Sequence, residues 1–265
     1  NHDLDFGSDL LEQRMSEMDF PALAANITVD ATGGSFAEGN AVFTLSDGSK
    51  VGVFGLDTPS TSTISTPKNT AGLSFASGEE LYALAQAQID ELKGQGCSTI
   101  VCLGHLGEGN AIKEIDAEEV VENTKGLSVM IDGHDHQVEN QTVKDLEGND
   151  VLIAETGYYL KNIGVLTCED GRFTESLVEA GTYTGSDPKV AEMVAGISEE
   201  IRGTLGEKVA DTDWDLDGND NDQETNLADF VTDAIYWQVN QASAAPDAVV
   251  LNAGAVRKSI KAGTT

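Results

Sequence analysis

The feature that most constrains the fold is a helix-to-strand unit that occurs twice in succession. GEELYALAQAQIDELKGQG has the apolar spacing of an amphipathic helix closed by glycines, and the apolar run STIVCLGH follows at once. DAEEVVENTKG repeats the helical text, and LSVMIDGHDH repeats the strand. Alternation of this kind builds an α/β fold, a sheet covered by helices. Each strand runs into glycine and histidine, so both histidine clusters are predicted just past the carboxyl end of a buried strand, where open α/β sheets bind ligands.

Other elements follow from local pattern. SDLLEQRMSEM reads as a short helix and ALAANITV as a buried strand, while AVFTLSDGSKVGVFGL reads as a hairpin turning at Ser-Asp-Gly-Ser. Residues 57–76, rich in Thr, Ser and Pro, read as an exposed loop. TVKDLEGNDVLIAETG and NIGVLTCEDGRFTESLVEAGTYT alternate as strands, residues 187–209 as a connecting helix, ETNLADFVTDAIYWQ as an amphipathic helix and DAVVLNAG as a strand. A length of 265 residues exceeds the needs of one average domain, so one large domain and part of a second are expected. No apolar run reaches the roughly 18 residues of a membrane span.

Charge narrows the partners. The 46 acidic and 15 basic residues give a net −31, a surface that repels nucleic-acid duplexes. A small anionic substrate stays compatible, because repulsion is screened beyond about 8 Å and bound cations dominate the local field. Cys97, Cys102 and Cys168 have no metal-ligand spacing and are assigned no chemistry. The serines of GSD at 7–9 and of GTYTGSD at 181–187 belong to turns, not to a nucleophile elbow. Trp214, Tyr236 and Trp237 are read as packing between the connecting helix and the second domain.

The chain has four histidines, His2, His105, His134 and His136, each in a loop beside an apolar run. Neutral imidazole is the commonest metal ligand, and its usual orienting partner is a carboxylate. GHDH can direct two rings into one cavity, with Gly133 easing the turn, and LGHLGEG sets His105 in a similar glycine-lined loop. In NHDLD, Asn1 offers an amide oxygen, and Asp5 stands three residues after His2, where it can orient that ring and suit it to act as a general acid. Asp132 and Asp135 are candidates for orienting the histidine loop, and Glu108 and Asn110 for shaping the mouth of the site.

These motifs resemble the calcineurin-like metallophosphatases, and within them the 5′-nucleotidase family with its cyclic-nucleotide phosphodiesterase and UDP-sugar hydrolase relatives. The family pattern G-N-H-[DE]-x-D matches NHDLD, and AANI at 24–27, VGVFGL at 51–56, LGHLG, GHDH, ETNLADFVTDA and NAGAVR at 252–257 match in the family's order. The resemblance implies a four-layer α-β-β-α sandwich over residues 1–186, a linker helix over 187–209 and the start of an α/β substrate-binding domain over 210–265. It implies that Asn1, His105, His134 and His136 ligate a pair of divalent ions, zinc, manganese or similar. His2 and Asp5 become the catalytic pair, and Asn252 and Arg257 face a nucleotide. The family carries D-x-H and G-D motifs upstream of its G-N-H, so the chain is expected to be a piece lacking them and part of the second domain, and to be poorly active alone. The arginine that often precedes the family's E-[TS]-N-L is replaced here by Asn221, Asp222 and Gln223. The resemblance also implies export to a periplasmic, cell-surface or secreted location.

DWDLDGNDNDQE fits the calcium-loop signature, with Asp213, Asp215, Asp217 and Glu224 as ligands. Asp220, where an aliphatic residue is usual, and the lack of a second such loop favour a solvated acidic loop instead. The expected activity is two-metal phosphoester hydrolysis on nucleotides. Alternatives are thiosulfate-ester hydrolysis on the same scaffold and a catalytically dead acidic adhesion protein.

Overall fold

In the computed structural model, residues 1–108, 116–218, 223–242, 246–256 and 258–263 are described. The chain divides into two compact units, Asn1–Thr184 and Gly185–Thr265.

The first unit opens on a 3-10 turn, His2–Phe6, and helix α1 (Ser8–Glu17). Strands β1 (Ile27–Val29), β2 (Gly34–Ser35), β3 (Asn40–Thr44) and β4 (Lys50–Asp57) follow, then the single turn α2 (Thr61–Ile64) and β5 (Leu73–Phe75). Next come α3 (Glu79–Gly94), β6 (Thr99–His105), α4 (Ala117–Glu122) and β7 (Val129–Ile131). The antiparallel hairpins β8 (Val138–Lys144) with β9 (Asp150–Thr156), and β10 (Asn162–Glu169) with β11 (Arg172–Glu179), complete the unit. The main sheet has the order β3-β4-β6-β7-β9-β8, and β4, β6, β7 and β9 run parallel. The architecture is mixed α/β with several sheets, as the alternation predicts.

One face of that sheet is closed by helices. Leu81, Ala85, Ile89 and Leu92 recur at helical spacing on α3 and are fully buried against Phe54, Ile100, Cys102 and Met130. Burying each of the larger three contributes about 1.5–3 kcal/mol. On the opposite face Val129, Leu152 and Ala154 pack under Leu166 and Phe173 of the β10–β11 hairpin. A smaller sheet, β2-β1-β5, forms its own core from Leu4, Ile27 and Phe36 with Leu11 and Met15 of α1.

Two readings of the first unit need correction. The strand expected in ALAANITV shrinks to three residues. The stretch read as an exposed loop carries α2 and β5, which pairs with β1, and its Thr58, Thr61, Ser65 and Thr70 are buried. Two of these hydroxyls donate to carboxylates, Thr61 Oγ1 to Asp57 Oδ2 at 2.7 Å and Ser65 Oγ to Asp5 Oδ1 at 3.2 Å. Polar composition did not mean exposure here.

The second unit contains α5 (Pro188–Leu205), capped by Asp187 accepting from the amides of Lys189 and Val190, and α6 (Asn226–Ala242). The strand predicted in DAVVLNAG does not form; a 3-10 turn, Ala253–Ala255, stands at its end, and Val250 is 88% exposed, with no strand among the described residues of this unit to pair with. Trp214, Tyr236 and Trp237 are exposed. No helix among the described residues is long and apolar enough to cross a membrane.

Candidate functional site

The parallel strands deliver their carboxyl ends to one edge of the main sheet, where Asp57 at the end of β4 lies in register with His105 at the end of β6. Asn26, the asparagine of AANI, braces the first of these ends. Its side-chain amide donates to the Asp57 carbonyl at 2.7 Å and accepts from the Asp57 amide at 2.9 Å.

Three of the predicted ligands meet at this edge. His105 Nε2 lies 3.1 Å from Asn1 Oδ1 and 3.4 Å from His134 Nδ1, with the two rings edge to face. Burial pushes the His105 imidazolium pKa down to about 4 and lowers that of His134 as well, so both rings are neutral and present lone pairs at physiological pH. The fourth, His136, stacks its ring on Tyr158 at 5.4 Å. His134 and His136 hold φ of 107° and 61°, left-handed values that are costly for side chains of this size and that recur at functional sites.

The glycines around His105 have a reason. Asp132, at the foot of the GHDH loop, accepts from the amides of Leu106 and Gly107, both at 2.9 Å, and Asp135 accepts from the amide of Glu108. A Cβ at Gly104 would meet the Asp132 carboxylate, and one at Gly107 the Asp135 carboxylate. The two histidine loops are thus laced together by carboxylates, which hold the rings in place from behind. Burial raises the Asp132 pKa to about 6 against the pull of those amides. Asp132 is buried, 8% exposed. Glu108 is raised to about 8, chiefly by burial and then by Glu139, and Asn110 lies outside the described residues.

The His2–Asp5 pair forms beside this group. His2 Nδ1–H donates to Asp5 Oδ2 at 2.7 Å, and Ser65 Oγ donates to the other carboxylate oxygen at 3.2 Å. Asn69 fixes the Asp5 carbonyl at 2.6 Å. The hydrogen bond from His2 holds the Asp5 carboxyl below its usual range. Sequence reading missed Ser65, Asn69 and Asn26, since each acts across more than thirty residues of chain.

The donor set of Asn1, His105 and His134 suits a cation. Two donors each about 2.1 Å from one ion, at a right or tetrahedral angle, stand about 3.0–3.4 Å apart. The trio's 3.1 and 3.4 Å fall in that span. It forms part of a shell, with no carboxylate in it; among the described residues no group of three or more His, Cys, Asp or Glu side chains is placed to hold a metal.

In the second unit, two acidic residues of the calcium-loop signature are engaged by their own neighbours. The bridge between Leu216 and Ile260 turns Asp215 to Lys261 Nζ at 2.7 Å and to the Ala262 amide, and Asp217 to Ser259 Oγ at 2.6 Å. Residues 219–222 of the loop lie outside the described residues. Asn252 is exposed at the 3-10 turn, its carbonyl accepting from Ala255, and Arg257 lies outside the described residues.

No family model matches the chain. The trifunctional nucleotide phosphoesterase YfkN of Bacillus subtilis is 28% identical over 229 residues, 82% of this chain and 15% of that protein. A 5′-nucleotidase of Vibrio vulnificus is 24% identical over 309 residues, 99% of this chain and 54% of the relative. The chain thus spans between a sixth and about half of these relatives. Among solved structures, calcineurin-like phosphoesterase YfkN superposes with a TM-score of 0.63 at 20% identity, covering 78% of this chain and 70% of that one. The sulfate thiohydrolase SoxB of Thermus thermophilus superposes at 0.69 with 15% identity, covering 89% and 42%, a likeness of fold. Sequence likeness to a nucleotide phosphoesterase and to a 5′-nucleotidase runs along most of this chain, and its mixed α/β architecture is similar to that of a calcineurin-like phosphoesterase.

Proposed function

We propose that this chain carries part of a metal-dependent phosphoesterase centre that hydrolyses nucleotides. The observation that carries the reading is the convergence of Asn1 Oδ1, His105 Nε2 and His134 Nδ1 at the carboxyl edge of a parallel sheet, next to a His–Asp pair.

Asn1, His105, His134 and His136 would hold a pair of divalent ions. When bound, such ions polarise phosphoryl oxygens and activate a water for in-line attack. His2 is 58% exposed and so open to substrate. Because its Nδ1–H is committed to Asp5, Nε2 is left to face the ester. As the phosphorus–oxygen ester bond breaks, a proton on His2 Nε2 passes to the departing oxygen, and Asp5, held ionised, steadies the ring. Asn252 and Arg257 are proposed to bind the nucleotide from the second domain, with domains at 1–186 and 210–265 joined by a helix over 187–209. A periplasmic, cell-surface or secreted location is part of the same proposal and rests on the family resemblance.

The test uses the full-length protein with 5′-AMP. His2→Ala should lower kcat by about 100-fold or more with bound metal unchanged. His134→Ala should lower metal content measured by mass spectrometry. An unaltered rate in the first variant, full metal occupancy in the second, or release of sulfate from a thiosulfate ester without release of phosphate from AMP would each overturn the reading.

A further inference from the structure

Behind the histidine loops, three acids stand in a row across three neighbouring strands. Glu139 of β8 is the direct cross-strand partner of Glu155 on β9. The parallel register of β7 with β9 pairs Ile131 with Ala154, so the next position sets Asp132 beside Glu155. The Asp132 amide continues that ladder to the Ala154 carbonyl at 2.9 Å. Strand alternation puts all three acids on one face. Met130, Val143 and Ile153 share their parity and pack in the core with Val120 and Val121 of α4, so the row lies on the helix-covered side.

Like charges directly opposite one another on a sheet are destabilising, with side chains rooted only about 5 Å apart. Here the neighbours add to the repulsion. The charges acting on Glu155 are those of Asp132, Asp135 and Glu139, and those acting on Glu139 are Asp132, Asp135 and Glu118. Among the described residues no lysine or arginine forms an ion pair with any member of the row. Asp132 has the amides of Leu106 and Gly107 on its oxygens. Glu155 is 3% exposed, and its Oε2 has no hydrogen-bond partner. A buried carboxylate oxygen in that position carries its full desolvation penalty, which native proteins offset with a donor or a cation.

We infer that Glu155 and Glu139 are the side-chain ligands of a hard divalent cation, calcium, bound between β8, β9 and the foot of the GHDH loop. Carboxylate oxygen is the donor that calcium selects, and the row holds none of the imidazole nitrogen of the histidine centre. No three acidic side chains enclose one point among the described residues. Backbone carbonyls and water therefore complete the shell, as the flexible coordination of calcium allows. With two carboxylates the site belongs to the weak class, with a Kd of about 0.1–1 mM. The ion offsets the repulsion within the row and steadies the strands that carry the GHDH loop.

Calcium-dependent stability of the full-length protein tests this. Zinc is supplied throughout, so that the histidine centre does not draw calcium. The buffer is held at pH 8 in about 0.5 M choline chloride, where diffuse screening is already near saturation. Calcium chloride at about 10 mM should raise the unfolding midpoint by a few degrees, the shift expected at ten or more times Kd. Glu155→Gln and Glu139→Gln should each abolish that shift. Equilibrium dialysis against radioactive calcium should show about one ion fewer per chain in both variants. Glu155→Gln keeps the side chain's shape and removes a buried charge, so without calcium it should melt at or above the wild-type temperature, and a lost calcium effect is then not a lost fold. A wild type indifferent to calcium would overturn the site. So would variants that keep the wild-type shift or stoichiometry, the result that binding at the acidic loop 213–224 would give. Neither measurement involves turnover, so the site stands or falls apart from the phosphoesterase reading.

Discussion

Glu155 is a buried carboxyl, 3% exposed on the last turn of β9, and its Oε2 has no hydrogen-bond partner. Ionised, it would be an uncompensated charge in a low-dielectric region already shared with Asp132, Asp135 and Glu139. Burial first, and those like charges next, raise its pKa from 4.5 to about 7. A carboxyl whose folded pKa lies above its unfolded value binds more protons when folded, so its stability contribution is present below about pH 4.5 and is lost as pH rises through about 7. Glu155→Gln keeps an acceptor and removes the titration. It should flatten the fall in stability between pH 5 and pH 8 and raise stability at pH 8 by on the order of 1 kcal/mol, read from denaturant midpoints in metal-free buffer. A variant with the wild-type slope would sink the assignment. This group was not legible in the sequence. IAET is an ordinary strand ending, and nothing local says that its glutamate lies near the carboxylates of the GHDH loop and of β8. The placement of His105 and His134 just past strand ends was legible because glycine-histidine pairs after apolar runs are a local signal, whereas the lacing by Asp132 depends on two loops meeting.

At the scale of elements, α3 and β6 could be read almost to the residue, because burial there follows helical and strand periods that the local sequence displays. Residues 57–76 could not, since β5 exists only through its long-range pairing with β1 and its buried hydroxyls look like loop chemistry. DAVVLNAG failed for the converse reason: β-forming residues without a neighbouring strand stay irregular. Gly55 ties such long-range geometry together. On β4 its carbonyl accepts from the Ala25 amide at 2.8 Å, and a Cβ there would collide with the backbone carbonyl of Leu23, which bridges to Glu38. Backbone cannot swing aside as a long side chain can. Gly55→Ala should therefore cost about 1–3 kcal/mol, as overpacking does. Gly94→Ala, at the end of α3 with nothing within 4 Å of the added carbon, should gain up to about 1 kcal/mol. Thermal melts of the two variants should move in opposite directions, and a loss in both would show that the Leu23 contact is not the cause.

Across the whole molecule, the sequence's alternation announced an α/β fold, and the parallel strands β4, β6, β7 and β9 bring their carboxyl ends to one edge, where separate motifs meet. The order β3-β4-β6-β7-β9-β8 was not readable, because strand neighbours are chosen by side-chain burial between elements far apart in the chain. The net charge of −31 has its own consequence. Like charges are closer together in the folded chain than in the unfolded one, so self-repulsion opposes folding. The ion pairs that salt would weaken are exposed ones such as Arg14–Glu17, Lys125–Glu147 and Arg202–Glu199, which solvent screening leaves weak. Raising ionic strength from about 0.01 M to about 1 M shortens the screening length from about 30 Å to about 3 Å and removes most of the repulsion. The unfolding midpoint should rise with sodium chloride by several degrees and then level off. Choline chloride should reproduce the rise, since screening depends on ionic strength and not on cation identity. A midpoint that rises with sodium alone would place the effect on a bound cation, and one that falls would mean that the exposed pairs outweigh the repulsion.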